Sequence, residues 1–392
     1  MRKWLIGIPV VIVLIGSLIW FNTDRHLRYL ILNPPADINV LFWSTEQRDA
    51  GFRSLDSLPV VPKNTIYTSQ KVSPLPIGAP LELPPAELDT FMNDLRVAGV
   101  VVLHKGKIRL ERYGLSMGKD DKWTSFSVAK SFTSTLVGAA IKDGYIKSLD
   151  DKVTDYIPSM QGSAYDAVSI EQLLTMTSGI AWDEDYSDIN SDVSKFNFHS
   201  PEPGVDAIAS YMRQLPRAKE PGARWLYSTG ETNLIGLLVS QATGKTLSAY
   251  LTEKVWQNIG TEHDASWVLG PSGSEIGGCC VQATVRDYLR FAQFVMHGAV
   301  VDGQSIVPAD WFAKATTTQA DIGSDTKGYG FQWWTNNDGS FEARGIFGQG
   351  LFIDPNNDLV IALNSNWPKA GGAKYAKGRE SFYRRVQSLV AQ

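Results

Sequence analysis

The sequence predicts an α+β fold, an antiparallel sheet formed by N- and C-terminal segments and flanked by helices, with a helical lobe inserted between them. Three observations predict it. Residues 100–114, VVVLHKGKIRLERYG, are a β-branched run, a Lys-Gly turn and an alternating return, which reads as a hairpin. Near the other end GIFGQGLFID and LVIALNSN flank the turn Pro355–Asp358, a second hairpin. Between them, from about 150 to 300, the text is helical and loop-like: SIEQLLTMTSGI, GVDAIASYMRQL, ETNLIGLLVSQATG, TLSAYLTEKVWQNIG and TVRDYLRFAQFVMHG. Strands at both ends with helices between them define the class.

Taken in order, the chain begins with MRK and an uncharged run, WLIGIPVVIVLIGSLIWF, at positions 4–21. Eighteen helical residues span about 27 Å, close to the ~30 Å hydrocarbon core of a bilayer. No A-x-A-like site or lipobox cysteine follows, so residues 1–22 are expected to be an uncleaved anchor rather than a cleaved signal. Arg2 and Lys3 fit a cytoplasmic N-terminus, although Arg25 and Arg28 weaken the bias. This places the body on the periplasmic face of a bacterial inner membrane, or outside the cell if the segment is cleaved. Residues 23–84 are Pro-rich and read as an extended arm, and 85–392 as the main domain. Its α/β part covers about 85–145 and 300–392, and its helical lobe about 146–299. PAELDTFMNDLRVAG reads as a helix with Pro85 near its start and Gly99 after its end, and a helix at about 371–391 closes the chain.

Of the 392 residues, 43% are hydrophobic and 20% charged, which is the composition of a globular protein with a large core. The net charge of −4 and the lack of a basic stripe with interleaved aromatics disfavour nucleic acid as a partner. Five scattered histidines, with no H-E-x-x-H spacing, disfavour a metal enzyme. Cys279 and Cys280 are the only cysteines and are adjacent; two buried thiols are expected in preference to a vicinal disulfide.

One stretch carries chemistry. From Ser127 to Ile141 the chain is apolar or small and hydroxylic except for Lys130. Ser-x-x-Lys is a weak pattern and occurs three times, at Ser116–Lys119, Ser127–Lys130 and Ser324–Lys327. The first and last lie in polar, Gly-containing loops, where a solvated lysine is expected. The middle one has Val128, Phe132, Leu136 and Ala139 at core spacing on a helix, so Ser127 and Lys130 share a face. Desolvation lowers a lysine pKa, and a neutral amine can take the proton of a nearby serine. The bland alternative is a lysine whose amine snorkels to the surface. Tyr227, in a polar turn just before an apolar helix, is placed to relay protons, or is simply a core tyrosine. ARGIFGQGLFIDP is a Gly-rich strand, marking either a close approach or a bulge.

Over roughly residues 85–390 these segments resemble the serine β-lactamase / penicillin-binding-protein-like superfamily, on the side of class C β-lactamases, D,D-peptidases and related esterases. SFSVAKSFTSTLVGAAI is similar to its first motif, which implies Ser127 as nucleophile and Lys130 as its base partner. LLTMTSGI is similar to LLTHTSGL. Tyr227–Thr229 matches the second motif, usually Tyr-x-Asn; Tyr227 inherits the proton relay, and Thr229 replaces the Asn that contacts β-lactams. Counting back from the hairpin puts Ala343–Arg344–Gly345 at the third motif, where Lys-Thr-Gly or His-x-Gly is usual. Loss of that Lys or His argues against a true β-lactamase. Ile346, after Gly345, would share the oxyanion hole with the Ser127 N–H. MTSGIAWDEDYSD and GIFGQG look like 6-aminohexanoate-dimer hydrolases and their carboxylesterase relatives, which implies that Tyr186 contacts the scissile bond. The neighbouring Asp183, Glu184 and Asp185 either attract an amine-bearing substrate or form a solvated loop.

The expectation is an exported serine hydrolase acting on a small-molecule ester or amide, with no metal or organic cofactor. Two alternatives stand beside it: a peptidase or β-lactamase acting on D-amino-acid peptides or β-lactams, and a non-catalytic sensor on a penicillin-binding fold.

Overall fold

A computed structural model describes residues 20–69 and 71–391. Residues 1–19 of the expected anchor lie outside these; among the described residues no helix is long and apolar enough to cross a membrane. The strands are β1 Lys63–Ile66, β2 Val97–His104, β3 Lys107–Tyr113, β4 Lys122–Thr124, β5 Ala265–Val268, β6 Val281–Thr284, β7 Val300–Val301 and β8 Gln304–Ser305. They continue with β9 Lys327–Tyr329, β10 Trp334–Asn336, β11 Phe341–Arg344, β12 Gly350–Asp354 and β13 Leu359–Ser365. The longer helices are α1 Arg25–Leu32, α2 Thr45–Ser54, α3 Pro85–Asp94, α4 Ala129–Lys142, α5 Thr229–Thr243, α6 Val285–Met296 and α7 Ala373–Val390.

The main sheet is antiparallel, in the order β3-β2-β13-β12-β11-β10-β9, so N- and C-terminal strands do share one sheet. Both expected hairpins form. In the first, Lys105 and Gly106 turn with φ of 51° and 70°, the primed geometry whose twist matches the strands. Side chains alternate across β2 and β13. Val100, Val102, Leu359, Ile361 and Leu363 pack with Phe382 and Val386 of α7 on one face. Val101, Leu103, Val360 and Ala362 pack toward the larger core on the other face. Helices cover both faces, so these two strands carry almost no polar residues.

Three expectations change. The helix from Pro85 ends at Asp94, with Arg96 at φ 46°, and Gly99 sits inside β2, not after the helix. The stretch expected to be an extended arm contains α1, α2 and β1. The inserted stretch also contributes β5 and β6, which join β1 and β4 in a second sheet, β1-β5-β6-β4.

The site is positioned by α4, the element with the lone lysine. It is buried along nearly its whole length and packs against α5, with Phe132 stacked on Phe291 of α6 at 3.7 Å. A helix buried on all sides needs no polar face, which explains its weak amphipathicity. The expected helical start at Ser127 is a short 3-10 turn, Phe126–Val128, leading into α4.

Candidate active site

Lys130 is 1% exposed, so its amine does not snorkel. Its Nζ lies 3.2 Å from Ser127 Oγ, 3.0 Å from Thr229 Oγ1 and 2.9 Å from the Gly278 carbonyl oxygen. Three neighbours match the three donors of an ammonium. Burial pushes the Lys130 amine down to about 8, and Glu184 opposes that fall. The carbonyl of Gly278 is aimed by α5: Asn233 Oδ1 accepts from the Gly278 N–H at 2.7 Å. A β-carbon at position 278 would sit 3.1 Å from Lys130 Nζ and 2.9 Å from Asn233 Oδ1, so glycine is what lets the backbone come this close.

Thr229 opens α5 and connects the lysine to an acid. Its hydroxyl donates to Glu184 Oε1 and its N–H donates to Glu184 Oε2 at 2.9 Å. The same carboxylate accepts from Tyr186 Oη at 2.6 Å and from Trp182 Nε1. Glu184 therefore sits at the N-terminus of a fifteen-residue helix, where the backbone dipole favours a negative charge. With its proton committed to Glu184, Thr229 Oγ1 can only accept from Lys130. When Lys130 is neutral, its two N–H bonds are fixed by Thr229 and Gly278, and its lone pair is left facing Ser127.

Tyr227 stands just ahead of the Ser228 N-cap of α5, its ring centroid 5.2 Å from Lys130 Nζ. Burial raises its phenol pKa and Glu184 adds to the rise, while a hydrogen bond with Ser127 and the charge of Arg344 work against it. The ring stacks on Trp334 at 5.7 Å, and the Arg344 guanidinium lies 4.6 Å from the Trp334 ring. At Gly345 the end of β11 passes against the turn before α4: a β-carbon there would meet Ser125 O at 2.9 Å and Gln349 Oε1 at 2.5 Å. Ile346 follows, half-buried beside Phe126 and Phe347.

The fold thus brings Ser127, Lys130, Tyr227, Thr229 and Tyr186 into one cluster and runs Gly345–Ile346 past the backbone before Ser127. Three groups were not singled out from the sequence: Glu184, the Gly278 carbonyl and Glu342. Glu184 was one of three acids in a loop; Asp183 and Asp185 are exposed, and Glu184 alone turns inward. The Gly278 carbonyl carries no side-chain signal. Arg344 is bound to Glu342, which is buried among Arg344, Arg379 and Lys327. Burial opposes its ionisation, but those cations hold its carboxyl down at about 2. Lys327, expected to be solvated, instead pairs with Glu380 at 2.6 Å. Cys279 and Cys280, expected as thiols, are joined in a disulfide; Cys280 adopts φ 73°, and that turn sets both sulfurs on one side.

This fold and cluster are those of a serine β-lactamase-type hydrolase. The Beta-lactamase family profile matches residues 86–381, and the chain belongs to that family. It is 28% identical over 297 residues to the 6-aminohexanoate-dimer hydrolase of Paenarthrobacter ureafaciens, covering 72% of this chain and 76% of that one. A Bacillus anthracis protein assigned as a 6-aminohexanoate-dimer hydrolase shares the fold with a TM-score of 0.75 and 21% identity, over 86% of this chain and 93% of that one. A class C β-lactamase of Rhodobacter sphaeroides shares the fold with a TM-score of 0.58 and 17% identity, over 78% of this chain and 98% of that one.

Proposed function

We propose that the protein cleaves an ester or linear amide through an acyl-enzyme on Ser127, in the manner of 6-aminohexanoate-dimer hydrolases and related carboxylesterases. The observation that carries this reading is the 3.2 Å contact between Ser127 Oγ and a fully buried lysine amine whose other two contacts are already committed. Neutral Lys130 takes the Ser127 proton as Oγ bonds to the carbonyl carbon. The N–H groups of Ser127 and Ile346 hold the oxyanion. As the bond to the leaving group breaks, the proton passes from Lys130 through Tyr227 to that group. Water then attacks the acyl-enzyme along the reverse proton path. Thr229 and Glu184 position Lys130, and Tyr186 faces the scissile bond.

Action on β-lactams or D-amino-acid peptides is the weaker reading. Ala343 is buried in the core, and the Arg344 charge is engaged by Glu342, so neither offers the free cation that a substrate carboxylate needs. Export with the body outside the inner membrane completes the proposal; an alkaline phosphatase fusion after residue 30 that stays in the cytoplasm and is inactive would refute it. The reading itself is tested with a fluorophosphonate probe and intact mass. One adduct is expected on the native protein and none on Ser127→Ala, which also loses turnover of p-nitrophenyl acetate. An undiminished Ser127→Ala enzyme would overturn it.

A further inference from the structure

A cavity of about 760 Å³ opens directly onto Ser127. This is within the ~300–1,000 Å³ typical of small-molecule sites. Its floor is Ser127, Thr229, Tyr186 and the Cys279–Cys280 disulfide. Its walls come from segments that catalysis does not need: Leu27 and Leu30 of α1, Val40 in the following turn, and Phe196. Asp37 is the one charged side chain in the lining among the described residues, and its Oδ1 is taken by the Asn39 N–H at 2.7 Å. The mouth is apolar too: Ile31, Ile38, Val60 and Phe198 line it while being 56%, 79%, 85% and 50% exposed. Apolar side chains grouped at a rim, open to water and continuous with an apolar interior, mark a site for an apolar ligand.

From this we infer that the acyl portion of the substrate is an uncharged aliphatic chain of medium to long length, housed in this cavity and roofed by residues 27–43. The inference rests on the reading of Ser127 as the nucleophile. The side of the serine fixes which part of the substrate enters. Tyr227 serves the leaving group, and the cavity is lined by Ser127, Tyr186 and Thr229 rather than by Tyr227. A chain on the acyl side therefore runs under α1. A charged or strongly polar chain would lose most of its hydration there, because Asp37, Asn39 and Asn197 are the few polar side chains in the lining beside the floor residues.

The test is kcat/KM over p-nitrophenyl esters from acetate to dodecanoate, at monomeric substrate concentrations. Each methylene moved from water into an apolar site is worth up to about fourfold. The octanoate-to-acetate ratio is expected to exceed about 100. Leu27→Glu and Val60→Asp put a charge on the wall and on the rim, and each is expected to cut that ratio at least about tenfold. Val60 is almost fully exposed, so its substitution leaves the core untouched. A flat or falling series on an enzyme that Ser127→Ala inactivates would overturn the acyl cavity and leave the serine hydrolase standing. No turnover of any ester together with no fluorophosphonate adduct would overturn both.

Discussion

Two buried charge clusters stand on either side of Tyr227, and they were built for opposite ends. On one side Lys130 is sealed in with hydroxyl and carbonyl oxygens, and its nearest carboxylate, Glu184, is reached through Thr229. Burial wins there, and the amine falls to about 8. On the other side Glu342 is equally buried but is surrounded by Arg344, Arg379 and Lys327, and its carboxyl is drawn down to about 2. Direct counter-charges keep a buried group ionised and inert over the working pH range. Distant ones leave it close enough to neutrality to move a proton. On the proposed mechanism, the position of the counter-charge, more than the depth of burial, separates the group that moves a proton from the one that only holds the fold.

The largest effect expected from breaking this contrast is at the lysine. Lys130→Met keeps the bulk and removes the base, so acylation of Ser127 should slow about 10³-fold in stopped-flow ester hydrolysis. A loss under tenfold would mean that another group takes the proton. Next comes the structural cluster. Glu342→Gln leaves buried cations unpaired and should cost about 3 kcal/mol in chemical denaturation at pH 7. Because the folded carboxyl lies below its ordinary 4.5, that contribution is complete above about 4.5 and fades as pH falls toward 2. Unchanged stability would show that the cluster is not structural. The smallest of the three is Glu184→Gln. Freed from its fixed acceptor, Thr229 can turn its proton toward Lys130, and kcat should drop about tenfold. The lost negative charge should also move the Lys130 midpoint below that of the native enzyme, which a purely structural role would not do.

The legible parts of the molecule were those written in local pattern. A helix with a single charge, a tyrosine before a helix start and two hairpins with distinct turns can each be read within about twenty residues. Lys130 is the clearest case, because a lone charge in a run of apolar and small residues shows in the sequence itself, although Thr229, Gly278 and Tyr227, which enclose its amine, come from distant segments. The illegible parts depend on partners far apart in sequence. Glu184 lies in a loop without periodicity, and its role appears only when α5 brings Thr229 to it. Glu342 reads as an ordinary alternating strand residue until α7 delivers Arg379. The cover over the cavity was missed because the stretch read as an extended arm hides α1, whose Asp24 cap is a single residue in a polar stretch.

The central claim is that burial keeps Lys130 ready to act as a base, and the pH dependence of acylation measures it directly. Neutral lysine is the active form, so kcat/KM for a p-nitrophenyl ester should climb as pH rises through about 8 and level off above it. A profile that is flat across that range, or that climbs only near the ordinary lysine value of 10.5, would contradict the account.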